Sequence, residues 1–532
     1  MTIDRDRRRA VAALGAGAVL GSTSARAQRG PREVVKARPA MGINLAGLNY
    51  WNTELPFVDL MRMSGDWTLW RRDGGTAPLK DKDVAPDTDA RGWLRSLPEG
   101  IAAMLPMAAI SHLPDTRRAL YVVRYDGEGE LDFEGALRVV RREPGRLECE
   151  LVARNPLPDP SLWLRITRTE AGNPLRNIRV FKPGSEAHAA ANPWDSAFIA
   201  RWSGWAALRM MDLMATTNAK LARWSDRPVP EDRSYVAKGL PLELIADLAN
   251  RCNVPPWLCM PHRADDDFVR RAATLLHQQL DERLGVWIEH SNEVWNPDFE
   301  QSAYAAQQGL AQGLAPDANL ARWRWHAKRS REIFAIWAQP FAGTKRLRRV
   351  LATQSANAWG TLQLLGDPVV ETADVLAVAA YLPLTPSSDS SPSSSQVARW
   401  SLERVFEHFE QGIAAVRQQL TEQRRWCARH GLLLAAYEGG QHAVGVGEVA
   451  TRDSALERLL TQANRDERMG LVYRRLFDEW EQADGDLFCH FSGVSAPNRW
   501  GNWGLLEHHD DEPSKRPKYR ATLERMRRWR GS

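Results

Sequence analysis

With 532 residues, 43% of them hydrophobic and 26% charged, the chain has the balance of a folded globular protein and is long enough to bury a large core. That balance excludes a disordered, collagenous or many-spanning chain. The formal charge of +5 is partly local, because residues 1–27 carry five arginines against two aspartates, a local +3, and the rest carries +2. Near-equal numbers of bases (71) and acids (66) create no global field, which argues against a nucleic acid or an anionic membrane as partner.

At the N-terminus, Arg7-Arg8-Arg9 precede an apolar run from Ala10 to Leu20 and the small-residue pattern Ala25-Arg26-Ala27, the layout of an export signal cut before Gln28. The Ala/Gly-rich run beside paired arginines resembles a twin-arginine signal more than a general secretory one, whose run is richer in leucine. Residues 1–27 are therefore expected to be a signal peptide, and the mature chain to be periplasmic or secreted from a bacterium. No later stretch approaches the ~20 apolar residues of a membrane span, so no membrane insertion is expected. The five cysteines (149, 252, 259, 427 and 489) are odd in number and lack Cys-x-x-Cys spacing, which points to neither a disulfide scaffold nor a zinc ribbon. Cys259 and Cys489 sit in apolar runs and read as core thiols.

From residue 41 onward, eight short apolar runs alternate with helix-compatible stretches. They are residues 42–46, 208–212, 257–261, 286–290, 350–353, 375–379, 432–436 and 487–491. Helical patterns lie between most of them, over 242–251, 267–284, 320–337, 402–428 and 468–482. Eight such repeats predict an α/β fold of the (β/α)8 barrel type. The rhythm breaks between the first and second runs, where short alternating segments at 118–125, 135–142, 147–153, 162–167 and 178–181 are bounded by Asp126-Gly127, Pro144-Gly145 and Pro183-Gly184. The expected organisation is a barrel over 40–65 and 186–530, with an antiparallel β-sandwich over 66–185 inserted after the first barrel strand. The serine-rich tract 385–395 reads as a mobile loop after the sixth strand, on the face where barrel active sites lie.

Two carboxylates follow two of the apolar runs. Glu293 lies in Trp287-Ile-Glu-His-Ser-Asn-Glu293, and Glu438 in Leu434-Ala-Ala-Tyr-Glu438-Gly-Gly. The C-terminal end of a barrel strand opens into the catalytic mouth, so both acids are expected to face one pocket from the fourth and seventh strands. Cleavage of a glycosidic bond with retained configuration uses such a pair about 5–5.5 Å apart, one a protonated acid and the other a nucleophile. Glu289, in the strand itself, reads as a structural ion-pair partner. The 22 tryptophans, more than either the 13 phenylalanines or the 9 tyrosines, supply flat apolar faces of the kind that stack on sugar rings, although most are expected to be packing residues.

Ser291-Asn292-Glu293 together with Tyr437-Glu438-Gly439-Gly440 resembles clan A of the retaining glycoside hydrolases, the cellulase-like barrels. Over roughly residues 40–525 the chain is similar to exported bacterial proteins of this barrel type described as cellulase-like or cellulose-binding. The resemblance implies Glu293 as general acid/base and Glu438 as nucleophile. It implies Asn292 as a hydrogen-bond partner of the sugar 2-hydroxyl, Arg209 as the positive charge that keeps the nucleophile ionised, Tyr381 as its hydrogen-bond donor, and His262 as a pocket histidine. Clan members often place a pocket tryptophan near the end of strand 8. Here Phe491-Ser492 is followed only later by Trp500 and Trp503, and the sequence does not choose between them. Trp51 after strand 1 and Trp295 after the acid are further candidates for sugar contact.

The run His508-His-Asp-Asp-Glu512 offers nitrogen and oxygen ligands, but adjacent side chains seldom converge on one ion, so no metal is expected. No glycine-rich phosphate loop follows the first strand, so no nucleotide cofactor is expected either. The reading is an exported retaining β-glycoside hydrolase whose partner is a carbohydrate polymer or oligosaccharide, β-glucan-like in linkage. Two alternatives stay open: a non-catalytic carbohydrate-binding or exopolysaccharide-assembly protein on the same barrel, and a transglycosylase. Sugar identity, endo or exo action and oligomeric state are not encoded in any recognisable motif.

Overall fold

A computed structural model describes residues 39–73, 78–79, 85–107, 120–152, 162–447 and 454–531. The expected export signal at residues 1–27 lies outside the described residues. The first strand, β1 (Ala40–Asn44), is followed in the chain by β2 (Thr68–Arg71), β3 (Ile101–Pro106), β4 (Tyr121–Asp126), β5 (Gly129–Gly135), β6 (Leu137–Glu143), β7 (Arg146–Leu151), β8 (Leu162–Thr169) and β9 (Arg176–Phe181). Next come β10 (Leu208–Arg209), β11 (Pro256–Met260), β12 (Val286–His290), β13 (Leu347–Thr353), β14 (Val375–Leu384), β15 (Leu433–Ala443) and β16 (Leu487–His490). β1 and β10 to β16 form a closed parallel barrel in sequence order, with Ala40 to Ile43 of β1 pairing Leu487 to His490 of β16 to complete the ring.

Parallel strands covered on both faces must be apolar on both, and β11 is buried along its whole length. Alternate residues fill the barrel interior, among them Trp257 and Cys259, Val350 and Ala352, Val375 and Ala377, Ala435 and Tyr437, and Leu487 and Cys489. Trp257 and Trp287 stack there with ring centroids 5.3 Å apart. The opposite faces of the strands pack on the surrounding helices, which start where the sequence supplies caps. Asp265 accepts from the Phe268 amide at 2.7 Å and Asp317 from the Leu320 amide at 2.9 Å. The 29-residue helix Leu402–His430 ends at Gly431, whose φ of 64° suits the left-handed cap.

Between β1 and β10 in the chain lie the strands of two four-stranded antiparallel sheets, ordered β2-β3-β8-β5 and β6-β7-β4-β9. Burial alternates along β4, β7 and β8, so each sheet buries one face, and both faces belong to one apolar cluster. Five of these strands lie where the alternation predicts. The sequence reading lacks β2, β3 and β5: Ile-Ala-Ala-Met-Leu-Pro of β3 is buried at nearly every position and so does not alternate. Further helices lie at Ser196–Trp202, Glu300–Ala311, Ala358–Leu365, Ser394–Val397, Ser454–Arg465 and Pro517–Arg530.

Three barrel strands differ markedly in extent from expectation. The second pairs only at Leu208 and Arg209, because the chain then turns, with the Met214 amide donating to the Met210 carbonyl at 2.7 Å. The sixth and seventh run longer than expected, pairing out to Leu384 and Ala443. The serine-rich tract follows the sixth strand, as read from the sequence, and is tied by its own polar groups: the Ser387 amide donates to Ser390 Oγ and the Ser394 amide to the Ser387 carbonyl, both at 2.8 Å.

Gly440 makes a close approach beside the barrel mouth in a conformation that favours glycine. Its φ is 135°, and a Cβ there would stand 2.7 Å from the Tyr473 hydroxyl and 2.9 Å from the His490 ring. Gly440→Ala is therefore expected to cost about 2 kcal/mol of stability, read as a lower denaturant midpoint; an unchanged midpoint would show that these neighbours give way freely.

Candidate active site

The site is assembled around Arg209, the last residue of β10, whose side chain has no solvent exposure. Its guanidinium reaches three other barrel strands, β1, β12 with the turn after it, and β15. Nη2 lies 3.0 and 3.1 Å from the two oxygens of Glu289 on β12, and Nε lies 3.2 Å from one of them. Nη1 donates to Asn44 Oδ1 on β1 at 3.0 Å and to Glu438 Oε1 on β15 at 2.9 Å. Nη2 also donates to Asn292 Oδ1 at 2.9 Å, just past β12. Glu289 is completed by donors from β11, Trp257 Nε1 at 2.9 Å and Cys259 Sγ at 3.3 Å. It is thus a structural partner, as its place inside the strand predicts.

Glu438 is held from its second oxygen by the Tyr381 hydroxyl of β14 at 3.0 Å. Glu293 has a different setting. Half-buried, it accepts from the Tyr437 hydroxyl at 3.1 Å and from Asn296 Nδ2 at 3.0 Å, and no cation is bonded to it among the described residues. Burial, reinforced by the negative charge of Glu438, pushes its carboxyl up to about 7. Asp212, two residues past Met210, is raised to about 7 by the same two effects in the same order. Ser291 and Glu293 adopt φ of 61° and 43°, in the left-handed region that non-glycine residues seldom occupy. The chain leaving β12 is therefore strained where it presents Glu293, a placement that surrounding structure must enforce.

A bulge explains how neighbours in sequence serve both acids. Along the β14–β15 ladder, Val378 pairs Ala436 but Ala379 pairs Glu438, so Tyr437 is the extra residue. Its carbonyl, released from regular pairing, accepts from Asn44 Nδ2 at 2.8 Å, and the same amide donates to the His490 carbonyl at 3.2 Å. Tyr437 and Glu438, which would face opposite sides of a regular strand, then bond to Glu293 and to Arg209 respectively. Strict alternation hides this role of Tyr437. Asn44 and Asp212 were missed because neither stands in a motif; a polar residue closing the otherwise apolar run of β1 was the available signal for Asn44.

The other sequence candidates divide into those at the centre and those around it. Asn292 bonds Arg209 and donates to Thr217 Oγ1 at 3.2 Å. His262 is buried after β11, edge-on to Tyr304 at 5.2 Å, and accepts at Nε2 from Arg263 at 3.2 Å; burial and the Arg263 charge draw it down to about 4. Trp503, partly buried, packs on His442, Phe491 and Tyr381 with centroids 4.7, 5.7 and 6.1 Å away, so it lies against the tyrosine that bonds Glu438. Trp500, 57% exposed, lies under Arg499 and has no ring contact with that group. Trp51 is 53% exposed and touches Tyr50, and Trp295 packs half-buried against the core. Six tryptophans (194, 202, 257, 323, 337 and 480) are fully buried, so they cannot contact a ligand. His509, from the run considered for a metal, bonds instead to Asp195 and to the Leu55 amide.

No family model matches the chain and no curated protein matches it in sequence. Solved structures similar to it include a 4-O-α-L-rhamnosyl-β-D-glucuronidase from Fusarium oxysporum, 10% identical with a TM-score of 0.36, the match covering 61% of this chain and 63% of that one. A Bacteroidetes-affiliated cellulase linked with a polysaccharide utilization locus is 12% identical with a TM-score of 0.33, over 61% of this chain and 83% of that one. A Cellulomonas fimi endo-β-1,4-mannanase double mutant is 11% identical with a TM-score of 0.36, over 63% and 68%. Likenesses this distant leave the chemistry of the chain to be argued from its own site.

The Arg209 network predicts a specific coupling. Arg209→Met leaves the buried Glu289 carboxylate without its cation and is expected to lower stability by about 3–5 kcal/mol. Adding Glu289→Leu removes that stranded charge, so chemical denaturation of the double variant should recover at least about 1 kcal/mol of the loss; losses that simply add would contradict the network.

Proposed function

We propose that this chain is a retaining β-glycoside hydrolase acting on an oligo- or polysaccharide with β-glucan-like linkage, with Glu438 as nucleophile and Glu293 as general acid/base. One observation carries the reading: two carboxyls at the ends of the fourth and seventh barrel strands have opposite surroundings. Glu438 has a guanidinium on one oxygen and a phenol on the other. Glu293 has only neutral donors and a carboxyl raised to about 7 by burial and by the charge of Glu438. Retaining glycosidases need such a division of labour.

In this reading Glu438 attacks the anomeric carbon while Glu293 gives its proton to the departing glycosidic oxygen. Forming the glycosyl ester removes the negative charge of Glu438 and with it part of what kept Glu293 protonated. Glu293 can then take a proton from water, which attacks the same carbon and releases Glu438. Asn292 has one oxygen fixed by Arg209 and keeps an Nδ2 hydrogen for the sugar 2-hydroxyl. Trp503 offers a ring face beside Tyr381. Residues 66–185 would form an inserted sandwich domain, a reading supported by the chain order of the two sheets. Residues 1–27 would export the protein to the periplasm or beyond, on the strength of Arg7-Arg8-Arg9 and Ala25-Arg26-Ala27.

A polysaccharide panel with product sizing identifies the substrate, and the two acids should then give different phenotypes. Glu438→Gln is expected to lose at least about 10³-fold in turnover while still binding glycan. Glu293→Ala should be slow mainly on poor leaving groups, and added azide should rescue it on an activated aryl glycoside, giving a glycosyl azide of retained configuration. Wild-type protein that binds glycans, with neither substitution changing any rate, would make it a binding protein.

The state of Glu293 sets the alkaline side of the pH profile. Because the proton donor must be protonated, kcat/KM should fall as pH rises through about 7. Asp212 titrates in the same range, so the limb should persist in Asp212→Asn if Glu293 is its source. Disappearance of the limb in that variant would reassign it.

A further inference from the structure

Lys518 is a buried cation that the chemistry above does not use. It is the second residue of the last helix, Pro517–Arg530, and is 2% exposed. No carboxylate is within ion-pair distance of it among the described residues. Glu507, the acid whose charge acts on it, is committed to Arg465 at 2.8 and 2.9 Å and to Arg516 at 3.1 Å. A lysine without an acid partner is an expensive group to bury, and burial draws this one down to about 7. The other titratable groups facing it are Tyr473, whose ring centroid is 6.0 Å from Nζ, and neutral His490.

What the ammonium does is bind two consecutive carbonyls. Nζ donates to the Asn502 carbonyl at 2.8 Å and to the Trp503 carbonyl at 3.3 Å. Both belong to the irregular segment after β16, where few strand partners exist. The Asn502 carbonyl also accepts from Gln441 Nε2 at 2.7 Å, three residues after Glu438 on β15. The Trp503 carbonyl also accepts from the Ser492 amide at 3.2 Å. Lys518 therefore ties the Asn502–Trp503 backbone to the last helix, while Gln441 ties the same Asn502 carbonyl to the strand bearing Glu438.

We propose that Lys518 is a positioning residue for glycan binding: by holding the Asn502 and Trp503 carbonyls it fixes the Trp503 indole against Tyr381 as the sugar platform of the site. The role in binding rests on the glycosidase reading; the fastening of the segment does not. An apolar side chain of similar length could fill the same space but could not bond the carbonyls, and this separates positioning from packing.

The test uses the full chain carrying Lys518→Met. Hydrogen exchange in peptides covering 498–506 should accelerate about tenfold while exchange in β11 to β13 stays unchanged. With the best oligosaccharide from the panel, KM should rise about tenfold and kcat change less than twofold. If Lys518 acts through Trp503, its effect on KM should largely vanish in a Trp503→Ala background. Lys518→Gln retains an N–H donor; it should show a smaller rise in exchange and provides the comparison if the methionine variant does not fold. Unchanged exchange over 498–506 overturns the proposal whatever the protein's activity, and so does an effect on KM that is undiminished without Trp503. Inactivity of wild-type protein on every glycan would instead count against the glycosidase reading, leaving the exchange result to decide the fastening.

Discussion

The buried guanidinium of Arg209 is the interaction on which the rest of the site depends. A charge with no solvent exposure is tolerable only when its donors are met, and here they are met by Asn44 of β1, Glu438 of β15, and Glu289 and Asn292 of β12 and the turn after it. Because the partners come from three different strands, fixing one guanidinium fixes their mutual arrangement. Glu289 neutralises the arginine within the barrel interior, and Glu438 adds a second carboxylate at the same Nη1 that serves Asn44. The pocket therefore carries an excess of negative charge at its mouth, and Glu293 and Asp212 are the carboxyls raised by it and by burial, both to about 7.

Local backbone irregularity does the remaining work of aiming side chains. The bulge at Tyr437 turns two successive residues to use in one site, and the left-handed conformations of Ser291 and Glu293 bring the acid out of the line of β12. Gly439 and Gly440 let β15 pass close to Phe488, Tyr473 and His490 immediately after Glu438. These features sit together toward the C-terminal ends of the barrel strands, in the bulged part of the β14–β15 ladder and in the turn that follows β12.

How far the sequence could be read follows the same division. The barrel was legible because buried parallel strands must be continuous apolar runs, and all eight runs fall on its strands. Strand ends were less legible: Met210 to Asp212 is as apolar as many strand segments, yet tertiary hydrogen bonds bend it into a turn. The strand β3 escaped because it is buried at nearly every position and lacks alternation. Within the site, Glu293, Glu438, Arg209, Asn292 and Tyr381 were readable from motif and position, and they do converge. Tyr437 was not, because the sequence does not announce a bulge. Nor was the choice between Trp500 and Trp503, which depends on the course of an irregular segment held by the carbonyl contacts of Lys518 and Gln441.

The central claim, that Glu438 forms a covalent bond to sugar, is tested most directly by mass spectrometry. The protein would be incubated with activated 2-deoxy-2-fluoro-glycosides of gluco, manno and galacto configuration, which slow the release of a glycosyl-enzyme. The account predicts one sugar added per chain, located on the peptide containing Glu438 and absent in Glu438→Gln. An adduct on another residue, or none with a glycoside whose unfluorinated form the protein hydrolyses, would contradict it.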